Sequence, residues 1–414
     1  MPTTIDSKTT AIPARRAIPP VPVLSLAALR SPAQASPALP CLLDAGAVRL
    51  VTSGRIAIGL ALREMGVGPG DIVLVPAYHS PSMIPPVLWR GAHVVFYRIH
   101  PDTTADLDDI AAKLGPAVKA VMVTHFFGIP QDLRPLRALC DRHGLALLED
   151  CAHAFFGRFG DTPVGVTGDY AIGSSMKFFP IYEGGCLVSA RRPLDAVRLH
   201  AAGTGFEAKA ALAALEASFG YGRLPALRAL LALPLRLKSA AWGALKARRT
   251  DRGAATAGSA LAPDSSDSSF NFDPRWVDKQ SSLFSRLTLR AVSHRRIVAL
   301  RRRNYLALHA ALENLPGCRP LFASLPDGAC PWVFPLLVEQ PEAVFERLHA
   351  AGVPMVRFGA SLWPGVDDAV CANSVALGRQ LIAFPCHQAL REDESRWMIA
   401  TVSDALRAAA TVAA

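Results

Sequence analysis

The sequence has no uninterrupted run of about 18 apolar residues, so no segment reads as a membrane-spanning helix. It has no three-residue or heptad repeat, which excludes a collagen helix and a long coiled coil. Its eight cysteines are scattered and never form a C-x-x-C pair. That spacing argues against a metal site and against a disulfide scaffold. The pairing of low hydrophobicity with high net charge that marks disordered chains is also missing. Lysine is scarce: there are eight beside 36 arginines. What is present is a chain of 414 residues, 51% hydrophobic and 19% charged, with a net charge of +10.

At about 100–200 residues per domain, this length predicts two or three domains with a core that needs no covalent staples. Scattered cysteines fit reduced thiols in a cytoplasmic protein. Arg15 and Arg16 precede a mildly apolar run, but Pro19, Pro20 and Pro22 interrupt it, which argues against a secretory leader. The basic excess is local. Between Arg223 and Arg303 there are 17 Lys or Arg against 5 Asp, so the rest of the chain is slightly acidic.

Residues 1–40 are rich in Pro, Ser and Thr and predict an N-terminal arm or a frayed terminus. Over 41–203, β-branched runs such as DIVLVPA, HVVFYRI, AVMVTHF and LALLED alternate with amphipathic stretches such as RIAIGLALREMG. That alternation predicts an α/β domain with a largely parallel sheet. Residues 204–278 predict a basic helical insertion, broken at Pro225 and Pro234, followed by a Gly/Ala/Ser/Asp linker. Residues 279–414 predict one long basic helix over about 279–315 and then a smaller α/β domain.

Ligands of open α/β sheets sit at the carboxyl ends of strands. Three such ends carry chemistry. One is LALLEDCAHAFFG, with Glu149, Asp150 and His153. Another is DYAIGSSMKFFPIYEGG, with Ser174, Ser175, Lys177 and Glu183. The third is LVTSGRIAIGLAL, where Ser53, Gly54 and Arg55 open a helix whose free N–H groups suit an anion. In a chain that uses arginine by default, Lys177 stands out, because an ammonium can lose its proton and act as a nucleophile while a guanidinium cannot. Alone it reads more readily as a surface lysine, while Asp150 alone reads equally as a helix cap. Together, an anion site, a carboxylate and an amine meet the three needs of pyridoxal phosphate: its phosphate, its ring nitrogen and its aldehyde.

These motifs resemble the DegT/DnrJ/StrS-type nucleotide-sugar aminotransferases, a branch of the fold-type-I pyridoxal phosphate enzymes. SGRIAIGLALREMGVGPGDIVLVPAY is similar to the family's phosphate turn, helix and second strand. VTHFFGIPQDL, LLEDCAHAFFG, MKFFPIYEGG and LIAFPCHQALREDE follow in the family's order. The resemblance is close over about 45–200 and looser over 280–410. It implies a fold-type-I transferase fold, with a large mixed, mostly parallel sheet and a smaller C-terminal α/β domain. It implies that Lys177 holds pyridoxal 5'-phosphate covalently and moves the substrate proton. Asp150 would pair with the ring nitrogen, His153 would lie by the ring, and Gly54 and Arg55 would hold the phosphate. It also implies a homodimer acting on an amino acid and a nucleotide sugar.

The chain departs from the family pattern in places. Arg55 stands where the family has Thr. Ser80 stands where the family has its stacking aromatic, which leaves Tyr78 or His79 to cover the ring. Ile172 stands where the family has its phosphate-binding Ser, which leaves Ser174, with Ser175 next, as the substitute. Asn271 is a candidate for the residue reaching a partner's phosphate, beside its reading as a linker residue. His125 reads as a core histidine, His387 as either structural or at the entrance, and Cys151 and Cys186 as packing groups. The basic stretch LPALRALLALPLRLKSAAWGALKARR has three readings: a packed insertion, a membrane-surface patch, or a lure for an anionic substrate. No nucleic-acid motif is present. Three functions remain: amino transfer from glutamate to a keto-sugar nucleotide in polysaccharide or secondary-metabolite synthesis, dehydration of a sugar, or a non-catalytic regulatory role.

Overall fold

The computed structural model describes residues 17–31, 38–231 and 272–413. The first strands are β1 (Ala47–Val51), β2 (Ile72–Pro76), β3 (His93–Tyr97), β4 (Val118–Thr124) and β5 (Ala146–Asp150). A short hairpin, β6 (Arg158–Phe159) and β7 (Thr162–Pro163), precedes β8 (Tyr170–Gly173) and β9 (Gly185–Ser189). Seven of these strands form one sheet in the order β1-β9-β8-β5-β4-β2-β3. The run from β8 to β3 is parallel, and β9 is antiparallel to both of its neighbours. The carboxyl ends of the parallel strands and of β1 therefore share one edge with the amino end of β9.

The strands are apolar on both faces because both faces are covered. Val73 and Val75 of β2 and Leu148 of β5 enter one core cluster, with α1 (Gly54–Glu64). Leu74 and Leu147, one residue away on the same strands, enter the cluster on the opposite face. Successive side chains of a strand point to opposite faces, so one apolar run supplies both clusters. Helices α2 (Ile84–Trp89), α3 (Leu107–Ala112) and α4 (Arg134–His143) connect the parallel strands. Gly144 ends α4 at φ 65°, where a side chain would be strained.

After β9 the chain forms α5 (Thr204–Gly220) and α6 (Pro225–Leu230). The break between them falls at Gly222 and at Leu224, both with positive φ, just before Pro225. Pro234, the greater part of the basic stretch, Asn271 and most of the linker lie outside the described residues. The predicted long basic helix is two helices, α7 (Leu283–Ala291) and α8 (His294–Leu312). Val292 is extended, and the Ser293 side chain caps α8 by accepting from the Arg296 N–H at 3.2 Å. A capping serine is a stronger stop than the continuing amphipathic pattern is a signal to go on.

Strands β10 (Cys318–Pro320), β11 (Val333–Val338) and β12 (Leu381–Pro385) form a second, antiparallel sheet. It packs against α8 and α9 (Pro341–Ala351), while α10 (Asp368–Gln380) and α11 (Glu392–Ala413) complete this part of the chain. No helix among the described residues is long and apolar enough to cross a membrane.

Residues 17–31, expected to fray, are instead tied down. Ile18 and Val23 are buried. The Leu24 N–H donates to Ser218 Oγ at 3.0 Å, and the Ser293 N–H donates to the Ala28 carbonyl at 2.8 Å. Proline removes donors but not apolar surface, and the buried Ile and Val anchor the strap.

Candidate active site

The shared sheet edge opens into a cavity of about 760 Å³. Its floor comes from residues at or next to strand ends: Thr124 ending β4, Asp150 ending β5, Ser174 after β8 and Glu183 before β9. Its anion-attracting wall is the start of α1. Ser53 caps that helix by accepting from the Ile56 N–H at 3.4 Å, and Gly54 and Arg55 line the cavity in the first turn. Gly185 makes this placement possible, since a Cβ there would lie 2.3 Å from the Ser53 carbonyl carbon. Gly54 in turn brings the helix end against Ser174.

Asp150 and Glu149 are neighbours with different surroundings, because a strand alternates its faces. Asp150 lines the cavity. It accepts from the Ala152 N–H at 2.8 Å and from Thr124 Oγ1 at 3.3 Å. Burial holds its carboxyl above the ordinary value, and the Lys177 charge works against that rise without cancelling it. Glu149 faces away. It accepts N–H groups of Gly165, Thr167 and Gly168 at 2.6, 3.2 and 3.1 Å. Its Oε1 also meets His125 Nε2 at 3.0 Å. Burial pushes Glu149 upward, but His125 and the backbone donors outweigh it and hold the carboxyl below its ordinary value. His125 Nδ1 accepts from the Gln131 N–H at 3.1 Å, so its proton sits on Nε2. His125, Glu149 and Cys151 come close enough to suggest a metal site, but the backbone donors already occupy the carboxylate. They form a buried brace.

Lys177 ends the turn Ser175–Lys177 after β8 and lines the cavity half-buried. Its Nζ lies 4.5 Å from the centre of the Trp332 ring. His153 also lines the cavity and stacks on Trp332, with ring centres 4.0 Å apart, while Phe358 meets it edge-on. Burial, with Lys177 adding to it, lowers the His153 pKa, so the ring is neutral. Ser174 lines the cavity. The Ser175 side chain does not, yet its buried Oγ has no hydrogen-bond partner among the described residues.

Two expected ring-covering residues lie elsewhere. Tyr78 is fully buried among Phe126, Phe127 and Phe358, and its hydroxyl donates to the Phe358 carbonyl at 2.8 Å. His79 stacks on Phe96, and its Nε2 accepts from the Trp363 N–H at 3.1 Å. Burial takes its pKa to about 4. Both side chains leave the cavity because the 358–363 loop needs anchors. At Gly359, φ is 79° and a Cβ would lie 2.2 Å from the Tyr78 ring. The aromatic groups at the cavity are instead Phe358, Phe206, Trp276 and Tyr182, with Trp332 behind Lys177 and His153. Sequence reasoning missed Trp332 and Phe358, since neither sits in a motif and both come from the distant C-terminal part. Val21, Pro22 and Val23 of the N-terminal strap close another side.

Chemically, the cavity joins a lysine amine, a buried carboxyl, a neutral imidazole and a helix start fit for an anion. Residues 42–243 match the DegT/DnrJ/EryC1/StrS aminotransferase family. The chain is 35% identical over 142 residues to a GDP-perosamine synthase of Vibrio cholerae, covering 34% of this chain and 39% of that protein. It is 37% identical over 135 residues to a dTDP-3-amino-3,4,6-trideoxy-alpha-D-glucose transaminase of Streptomyces venezuelae, covering 32% and 34%. The matched part thus spans well under half the length of these curated relatives. The fold extends further. The aminotransferase TlmJ of Streptoalloteichus hindustanus superposes with a TM-score of 0.59 at 22% identity, covering 87% of this chain and 86% of that one. DesI, solved in the presence of its TDP-sugar product, gives a TM-score of 0.60 at 19% identity, covering 90% and 83%.

Proposed function

We propose that the chain, whose residues 42–243 match the DegT/DnrJ/EryC1/StrS aminotransferase family, is a pyridoxal phosphate-dependent aminotransferase of that family. In this reading it moves an amino group from an amino acid, glutamate, to a keto-sugar nucleotide. The observation that carries the proposal is the meeting of Lys177, Asp150, Ser174 and the start of α1 in one cavity.

The residues fit the cofactor on their own terms. Asp150 is a buried carboxyl raised by desolvation, and a cationic ring nitrogen is the partner that would keep it ionised. The Ser175 hydroxyl, next in sequence to the cavity-lining Ser174, is buried without a hydrogen-bond partner among the described residues. Pyridoxal phosphate, when bound, supplies an aldehyde for the amino group and a ring that accepts electrons from the substrate carbon. Gly54, Arg55 and Ser174 would hold its phosphate through N–H and O–H donors at a helix start. Lys177 would offer Nζ for the cofactor's covalent attachment and would serve as the base that holds and returns the substrate proton. His153, kept neutral against Trp332, walls the site without competing for that proton. The strap residues Val21, Pro22 and Val23 help exclude water from the cavity.

Three of the named relatives carry a GDP-, dTDP- or TDP-linked sugar in their names, which supports a keto-sugar nucleotide as the acceptor. Family resemblance supports a homodimer. The test is an absorption spectrum followed by a half-reaction. The purified chain with added cofactor should show a visible band that glutamate bleaches, and Lys177→Ala should lack it. A protein that stays colourless with excess cofactor would sink the proposal. Glutamate that leaves the band intact while another amino acid bleaches it would overturn only the donor.

A further inference from the structure

Arg301 is fully buried on α8 and has no carboxylate partner among the described residues. A buried guanidinium is costly unless its donors are satisfied. Here they are satisfied by neutral oxygens from three separate segments. Nη2 donates to the Lys177 carbonyl at 2.7 Å. Nη1 donates to the Pro331 and Trp332 carbonyls at 3.1 and 2.9 Å. Nε donates to Gln388 Oε1 at 3.0 Å. The guanidinium also lies 4.3 Å from the Phe178 ring centre. Gln388 completes the clamp, donating from Nε2 to the Phe178 carbonyl at 2.6 Å.

The two residues that Arg301 grips at opposite ends of its fork are the ones that meet in the cavity wall. Trp332 presents its ring to Lys177 Nζ on one side and to His153 on the other. An ordinary brace between two parts of a fold could use any pair of loops. This one fixes the peptide of the attachment lysine and the peptide of the aromatic ring its amine rests on. A lysine in place of Arg301 is a single donor point and cannot span both carbonyls.

We propose that Arg301, with Gln388, is a positioning residue that sets where the Lys177 amine sits by holding Lys177 and Trp332 to one planar donor. The proposal rests on the reading of Lys177 as the reactive amine. It assigns a function to a side chain that does not itself line the cavity.

The test uses the full chain without added cofactor and N-hydroxysuccinimidyl acetate as the amine probe. The acetylation rate of Lys177 is read by peptide mass spectrometry, relative to the exposed Lys119. In Arg301→Lys the ratio is expected to rise about tenfold as the amine leaves the Trp332 face, the scale on which small misplacements act. Gln388→Leu keeps the buried charge and should give a smaller rise in the same direction. A ratio unchanged within about twofold in both variants, with melting curves showing both folded, overturns the proposal. If Arg301→Lys does not fold, Gln388→Leu decides alone: a rise supports the proposal and an unchanged ratio overturns it. Failure of the wild-type chain to capture pyridoxal phosphate would instead overturn the aminotransferase reading and leave the acetylation ratio as it is.

Discussion

Asp150 and Glu149 are adjacent acids with opposite consequences for stability. Glu149 has a folded pKa below its ordinary 4.5. Its stabilisation is therefore present above about pH 4.5 and is lost as pH falls through the folded value. Glu149→Gln should cost about 1–3 kcal/mol at neutral pH, by leaving backbone donors poorly matched. The loss should shrink as pH falls below about 4.5 and through the folded value, read from urea unfolding across pH. Asp150 has a folded pKa above its ordinary 3.8. Its ionised form subtracts stability above that pH, and the penalty fades as pH falls. Asp150→Asn in the cofactor-free protein should therefore unfold no more easily than wild type. Its kcat should nonetheless fall about 100- to 1000-fold, as expected when a preorganised charge is removed. A variant that lost stability but kept kcat would place Asp150 in the fold and not in the chemistry.

The contrast between these acids was legible only in part. The motif LLEDCAHAFFG announces two carboxylates at a strand end, and strand alternation says they face opposite ways. It does not say which way the cavity lies. That depends on the 165–168 turn, whose N–H groups claim Glu149. Tyr78 and His79 show the same limit. They follow β2, where ring-covering side chains were expected, but a glycine 281 positions on from Tyr78 lets the 358–363 loop settle against them. No local pattern carries that information.

At the level of elements, the parallel strands and α1 were readable because their apolar runs and capping serine agree. The N-terminal strap was not readable, since proline-rich composition signals a loop whether or not it is anchored. Its latch is His387, whose Nε2–H donates to the Pro19 carbonyl at 2.9 Å. Burial takes the His387 pKa to about 3, so the latch stays neutral and intact across ordinary pH. His387→Ala should release the strap at a cost of about 1–3 kcal/mol of local stability. Hydrogen exchange at residues 18–24 should quicken and KM should rise, with kcat less affected. Unchanged exchange in that segment would show that the apolar contacts of Ile18 and Val23 hold it alone. The helix break at Ser293 gives a separate check. Ser293→Ala removes an N-cap and should lower stability by about 1 kcal/mol, measured as a shift in the denaturant midpoint.

On the scale of the whole molecule, the cavity is assembled from distant parts of the chain. β5, β8 and α1 supply the charged groups, the C-terminal part supplies Phe358 and the nearby Trp332, and the strap supplies apolar cover. This explains why the central motifs carry the family match while the aromatic wall does not appear in them. It also changes the meaning of the basic excess between Arg223 and Arg303. Within the described residues, several of those arginines are structural. Arg223 pairs with Glu394 at 2.7 Å, Arg302 donates to carbonyls of Pro326 and Ala329, and Arg301 is buried. A positive count along a sequence is not by itself a positive surface.

The central claim is that Lys177 is the covalent attachment point for pyridoxal phosphate. The direct measurement is to incubate the full chain with the cofactor, reduce with borohydride and map the modified peptide by mass spectrometry. The account predicts one stable adduct on Lys177, absent in Lys177→Ala and intact in His387→Ala. An adduct spread over surface lysines with none on Lys177, or no adduct in a folded protein, would contradict it.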